Sequence, residues 1–259
     1  MSKRKAMTTE KARQVRQQGH DDALEFASLI GLDNDYKNDS KAKKDVIDKS
    51  GDAHSVKSGS KRWQLFLYSI NRIREDDFFQ TMNGIGQLLI ECINSFPLCF
   101  QDYTANKKIA KEKLRTPMRK LAELLQEKRR VRSFINKAMF NGGEVNYLTV
   151  RHNDIYHVFL NKDVVRIFAN AVEITNSKAI TKSQTSEQKV IFKYNNHNLC
   201  ELEIRNSGEN HYREVLFVMN KLKMMNLLFG KIPQTKKFNN RVFIYGDASK
   251  KFGNWKKEN

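Results

Sequence analysis

The stretch KKDVIDKSGDAHSVKSG, Lys43 to Gly59, decides how the rest of the chain is read. Two short runs with strand character, DVID and AHSVK, flank Lys49-Ser50-Gly51-Asp52, a cluster of small and polar residues that favours a turn. A β-hairpin is the simplest solution. With Lys49 to Gly51 as a three-residue loop, Asp48 faces Asp52, Asp45 lies opposite Ser55, and Lys57 follows two residues further along the same face. A carboxylate, a hydroxyl and an ammonium then share one surface. A one-residue slip would scatter them, because side chains alternate between faces, and the stretch would be a charged hairpin without chemistry.

The surrounding chain has 259 residues, 39% hydrophobic and 10% aromatic, enough for one large core or two modest ones. Its net charge of +18 implies a polyanionic partner, with nucleic acid first and an acidic membrane surface second. The second option calls for a basic amphipathic helix or a lipidation signal, and neither stands out. The polar opening MSKRKAMTTEKARQ lacks the apolar core of a signal peptide, and no apolar run is long enough to cross a bilayer. A cytoplasmic protein with no membrane partner is the expectation. Cys92, Cys99 and Cys200 lie in apolar or strand-like surroundings without zinc spacing, which reads as buried free thiols in a reducing compartment.

Along the chain, apolar spacing at Ala23, Phe26, Ala27 and Ile30 predicts a helix from about Glu10 to Leu32, and the polar DNDYKNDSKAKK a loop. RWQLFLYSINRI reads as a helix or a buried strand, with Phe66, Ile70 and Ile73 favouring the helix. Asp76 to about Ser95 predicts one helix, and Thr116-Pro117 an N-cap and first position of another running to about Met139. From Gly142 onward, EVNYLTV, IYHVFL, VVRIFA, AVEIT, KVIFKY and LCELEIR read as strands of an antiparallel sheet, followed by a final helix in HYREVLFVMNKLKMMNLLF. The fold class expected is α+β. A helical and hairpin part, 1–140, precedes a β-rich part, 141–259, as two lobes or one continuous domain.

Metal-assisted phosphodiester cleavage needs carboxylates to hold a divalent cation and a side-chain cation near the attacking water. Asp45 and Lys57 supply one of each. KKDVID followed by HSVKSG, preceded by the helix containing GHDDALEFA, resembles the PD-(D/E)XK nuclease superfamily, and the whole chain resembles a type II restriction endonuclease of that superfamily. The resemblance implies a nuclease core with a mixed or antiparallel sheet flanked by helices. It implies Mg2+ as cofactor, Asp45 and Glu25 as metal ligands, and Lys57 as the catalytic lysine. Position 44 holds Lys where the pattern has proline, and Ser55 stands where it has Asp or Glu. A serine there resembles a branch in which a neighbouring helix supplies the carboxylate, Glu25 or alternatively Glu75. The implied partner is double-stranded DNA, with a homodimer as one admissible assembly.

A second acidic stretch, NLCELEIRNSGENHYRE, places Glu201, Glu203 and Arg205 on one strand face. Arginine grips phosphate or guanine well but does not exchange protons with water, so this segment is read first as a DNA contact, with a second acidic site that holds the metal as the alternative. Arg205, Asn206, His211, Tyr212 and Arg213 are its candidates, with Lys61 and Arg62 beside the hairpin. An ordinary strand with paired surface charges is the competing reading. His20, His54, His152 and His197 are scattered and read as surface or satisfied side chains. Gly142-Gly143 reads as a turn, without the spacing of a phosphate loop. The functional expectation is a Mg2+-dependent, sequence-specific endonuclease acting on duplex DNA. Its rivals are a non-catalytic basic DNA-binding protein and a structure-specific or RNA nuclease.

Overall fold

The computed structural model of the protein describes residues 8–32, 45–59 and 61–257. Helices and strands form a mixed six-stranded sheet and an antiparallel five-stranded sheet, an α+β architecture. The chain forms two compact units that interleave along the sequence. The first gathers the described residues up to 59, Met139–Val164 and the chain from Phe229 onward; the second gathers Lys61–Ala138 and Val165–Leu228. The sequential division at 140 differs from this because strands brought together in one sheet come from distant parts of the chain.

In the first unit, α1 (Thr9–Leu29) opens with Thr8, whose hydroxyl accepts from Lys11 N at 3.3 Å. It ends at Gly31, where φ of +78° suits a residue without Cβ. The sheet runs β1 (Val46–Ile47), β2 (Ala53–Lys57), β4 (Tyr147–His152), β5 (Ile155–Leu160), β11 (Val242–Tyr245) and β10 (Gln234–Asn239). β1–β2, β4–β5 and β10–β11 are antiparallel pairs, joined by parallel β2–β4 and β5–β11 contacts.

The apolar stripe of α1 covers one face of this sheet. Phe26 is fully buried, with ring centroids 5.1 Å from His54, 5.3 Å from Tyr156 and 6.5 Å from Phe252. Burying such a side chain contributes about 1.5–3 kcal/mol. Ala23, Ala27 and Ile30 extend the same contact, so the predicted helical periodicity is what builds this core.

The second unit sets β3 (Arg62–Tyr68) at the edge of a sheet ordered β3, β9 (Val215–Asn220), β8 (His197–Ile204), β7 (Lys189–Tyr194) and β6 (Glu173–Asn176). Five of the sequence assignments change here. RWQLFLY is β3, since its pairing with β9 overrides the helical spacing, and only Ile70–Arg74 (α2) is helical. The segment after Asp76 breaks into α3 (Asp77–Thr81) and α4 (Ile85–Asn94) at Asn83-Gly84, both with positive φ. Between α5 (Phe100–Ala105) and α7 (Lys128–Phe140), α6 (Lys107–Leu124) carries Pro117 in its interior, so Thr116-Pro117 does not start a helix. VVRIFA belongs to α8 (Asn161–Ala171), with Val164 and Phe168 buried one turn apart. VLFVMN is β9, and α9 (Lys221–Lys231) follows it. Cys99 is exposed, unlike the buried Cys92 and Cys200.

Phe26→Ala is expected to lower the stability of the first unit by about 3–5 kcal/mol, because a large buried ring is replaced by a cavity. The change is measurable as a fall in the urea midpoint.

Candidate functional site

The hairpin forms in the register read from the sequence. Val46 pairs with His54 and Ile47 with Ala53, which places Asp45 opposite Ser55 and Asp48 opposite Asp52. The turn is closed by Gly51 N donating to Asp48 O and Asp48 N donating to Asp52 O, each at 2.9 Å. Gly51 sits at φ +80°, where a glycine is favoured. Asp48 Oδ1 also accepts from Ser50 N at 2.8 Å and from Asp52 N at 3.1 Å. The polar residues of the loop therefore have a definite task, since their main-chain amides are held by the preceding aspartate.

This register gathers three of the predicted site residues. Asp45 Oδ2 accepts from Val56 N at 2.7 Å and from Ser55 Oγ at 3.4 Å, and Lys57 Nζ stands 3.8 Å away. Both charged side chains are partly exposed, Lys57 at 27% and Asp45 at 35%, so the pair is reachable from solvent. Lys57 pairs across to Val150 on β4, and Val150 to His157 on β5, so these side chains share one sheet face with Asp45 and Ser55.

Glu25 belongs to a different cluster. Tyr156 donates to its carboxylate at 2.7 Å, Arg241 Nη2 lies 2.6 Å away and Arg151 Nε 3.5 Å away. Arg151 and Tyr156 are paired on the face that carries His54, opposite the face of Ser55 and Lys57. Burial pushes the Glu25 carboxyl up, but the Tyr156 hydrogen bond and the two guanidinium groups outweigh it and hold the group below the usual carboxylate range. Arg151 also reaches Asp22 at 2.7 Å, so the acidic pair on α1 anchors the helix to the sheet. The structure does not bring Glu25 to the Asp45 cluster. Glu75 lies in the second unit, exposed at the end of α2.

An Asp carboxylate and a Ser hydroxyl are hard oxygen donors of the kind Mg2+ prefers, and Mg2+ commonly uses one or two carboxylates while keeping several waters. Asp45 offers one such oxygen at the surface, whereas Ser55 is 2% exposed and its hydroxyl donates to Asp45. Among the described residues, no group of three or more His, Cys, Asp or Glu side chains is disposed to hold a metal ion.

The ELEIR strand resolves into paired charges. Lys189 Nζ on β7 contacts both Glu201, at 3.0 Å, and Glu203, while Arg62 stands 4.0 Å from Glu201. Burial works to raise the Glu201 carboxyl, yet Lys189 and Arg62 hold it below its ordinary value. Of the predicted DNA contacts, Tyr212 donates to Pro97 O at 3.0 Å within a ring cluster of Phe96, Phe100 and Tyr103, and burial pushes its hydroxyl up to about 12. Arg213 donates to Ile93 O and Asn94 Oδ1, and His211 pairs with Glu214 at 2.8 Å. These three side chains have partners within the unit, and the backbone at His211 and Arg213 is left-handed, with φ of +61° and +64°. Asn206 Nδ2 donates to Ile204 O at 3.4 Å, and Arg205 is half-buried with its main chain tied to Glu214 and Arg213. Lys61 is exposed and accepts from Lys221 N through its carbonyl.

The sequence reading missed a cleft of about 330 Å3 in the second unit. It is lined by Arg62, Asn196, His197, Asn198, Glu201 and Lys223 among others. Arg62 and Glu201 stand out in the sequence as charged strand residues, whereas Lys223 reaches the cleft only because β9 ends at Asn220 and α9 begins at Lys221. Among the described residues, no helix is long and apolar enough to cross a membrane. Comparison with known proteins finds no matching family model, no similar curated protein and no matching solved structure.

The depressed Glu25 carboxyl has a consequence for acid stability. A folded-state value below the unfolded one, near 4.5, gives stability that is present above that value and lost as pH falls through the folded-state value. Glu25→Gln should therefore be less stable than the parent at about pH 7 and decline more shallowly toward about pH 3, as followed by urea midpoints.

Proposed function

We propose that the protein is a Mg2+-dependent endonuclease acting on double-stranded DNA in the cytoplasm, of the type II restriction kind that the hairpin resembles. The observation that supports this reading is the convergence of the Ser55 hydroxyl, the Val56 amide and the Lys57 ammonium on the Asp45 carboxylate. The net charge of +18 suits a polyanionic substrate. On this reading Asp45 supplies the protein's carboxylate ligand, with the buried Ser55 hydroxyl donating to it. When bound, Mg2+ would polarise the scissile phosphate and ease deprotonation of water. Lys57, one-quarter exposed, orients the phosphate and the attacking water through its rotatable N–H donors. Asp45 limits where that ammonium can go. Val56 N, by donating to Asp45 Oδ2, in turn limits the carboxylate, so the cluster is ordered before substrate arrives.

The test is incubation of the purified protein with long duplex DNA, with and without Mg2+. Discrete fragments that require Mg2+ support the proposal. A smear favours a structure-specific or RNA nuclease, and an intact but shifted duplex favours a non-catalytic DNA-binding protein. Lys57→Ala is expected to lower cleavage by roughly 10²-fold or more while duplex affinity changes by less than about threefold, since the lysine serves the reacting phosphate more than the general grip. Parallel loss of binding and cleavage would make Lys57 a contact residue. Duplex affinity should also fall steeply and log-linearly with salt as neutralised phosphates release counterions. A flat salt response in an electrophoretic shift titration counts against nucleic acid as the partner.

A further inference from the structure

Beneath the hairpin, on the sheet face away from Asp45, lies a buried polar chain with no part in the proposed chemistry. His54 is 0% exposed. Its Nδ1 is 2.9 Å from Thr149 Oγ1 and its Nε2 is 3.3 Å from Asp48 Oδ2. Its ring is stacked on Tyr147 with centroids 4.7 Å apart. Asp52, 6% exposed, accepts from Tyr147 at 3.1 Å and pairs with Lys251 at 2.6 Å. A carboxylate only accepts hydrogen bonds, so the His54 proton sits on Nε2 facing Asp48, and Nδ1 accepts from Thr149. The main chain of His54 matters as much, because its carbonyl accepts from Asp45 N at 2.9 Å.

The geometry points to Asp48 and His54 as positioning residues that fix the hairpin register and so hold Asp45 against Ser55 and Lys57. This inference deepens the nuclease reading and rests on it for its consequence in cleavage. β1 has only two residues, too few ladder bonds to hold a register alone. Asp48 adds three bonds, to Ser50 N, Asp52 N and His54 Nε2, and Thr149 connects the far side of the imidazole to β4. A slip by one residue would carry Asp45 to the opposite face and leave the buried Asp48 and His54 unsatisfied. The chain thus penalises every register but the one that assembles the site.

The test uses the full chain and compares Asp48→Ala with Asp48→Asn. The asparagine keeps the size and an acceptor for the loop amides. Its Nδ2 can donate to His54 Nε2 if the imidazole proton moves to Nδ1 and donates to Thr149. Nitrogen-15 NMR of the imidazole should show the Nε2–H tautomer in the parent and the Nδ1–H tautomer in Asp48→Asn. Asp45 amide exchange should be protected in both and at least about tenfold faster in Asp48→Ala. Mg2+-dependent cleavage should fall roughly tenfold or more in Asp48→Ala at unchanged duplex affinity and recover in Asp48→Asn. Equal Asp45 protection and equal cleavage in the parent and Asp48→Ala would overturn the inference, as would an Asp48→Asn variant as impaired as Asp48→Ala. If the parent does not cleave DNA, the nuclease reading fails, and the tautomer and exchange measurements decide the positioning role independently. If Asp48→Ala does not fold, Thr149→Val, which nearly conserves shape, replaces it. Faster Asp45 exchange then supports the inference, and unchanged exchange overturns it.

Discussion

The candidate site depends on a hydrogen bond that a very short strand cannot secure by itself. Asp45 N donates to His54 O, and from that bond follow the approach of the Asp45 carboxylate to Val56 N and its separation of 3.8 Å from Lys57. The hairpin meets this constraint with a buried carboxylate at Asp48, which is costly to desolvate unless its oxygens are satisfied. Three N–H groups satisfy them, and all three belong to the hairpin. Local turn chemistry and buried polar matching therefore act on the same register. The α1 helix contributes from the other side, since Phe26 fills the space beside the His54 ring and closes it from water.

The acids and bases of the chain divide into two populations. Several carboxylates are spent on internal pairs: Asp22 and Glu25 with Arg151 and Arg241, Glu201 and Glu203 with Lys189, and Asp76 with Lys137 at 2.8 Å. Partly buried pairs of this kind fix geometry more than they add stability, because desolvation offsets much of the attraction. Because these pairs consume cations almost one for one, the excess of 47 basic over 29 acidic residues remains on the rest of the chain. Asp45 is partly exposed, and Lys57 Nζ stands 3.8 Å from it, longer than a close charge-assisted hydrogen bond.

The parts that the sequence disclosed are those governed by neighbouring residues. The hairpin was legible because Asp48, Ser50, Gly51 and Asp52 carry their turn instructions locally, and α1 because Ala23, Phe26, Ala27 and Ile30 repeat at helical spacing. The run from Arg62 to Ile73 misled because Phe66, Ile70 and Ile73 keep a helical interval across the junction of a strand and a helix. VVRIFA was read as β from its branched residues, although the buried interval from Val164 to Phe168 is one helical turn. Glu25 could not be judged from its own segment. Its partners Arg151, Tyr156 and Arg241 lie more than a hundred positions away, and only the sheet pairing reveals which face they occupy. Nor does the sequence disclose that Tyr212 and Arg213 hydrogen-bond to Pro97, Ile93 and Asn94, which lie more than a hundred positions earlier.

The interleaved path of the chain bears on when the first unit can exist during synthesis. Its sheet takes β1 and β2 from early in the chain, β4 and β5 from the middle, and β10 and β11 from near residue 240. On the ribosome, the hairpin emerges long before the strands that complete its sheet, and the whole second unit is translated before β10 appears. Such long sequence separations slow assembly, since distant loops must close before their contacts are rewarded. β5 waits with an unpaired edge until β11 docks parallel to it, a state open to pairing with other chains. A nascent chain would therefore carry the Asp45, Ser55 and Lys57 segment without the finished sheet, so any chemistry that needs the completed unit is delayed until β10 and β11 have been made.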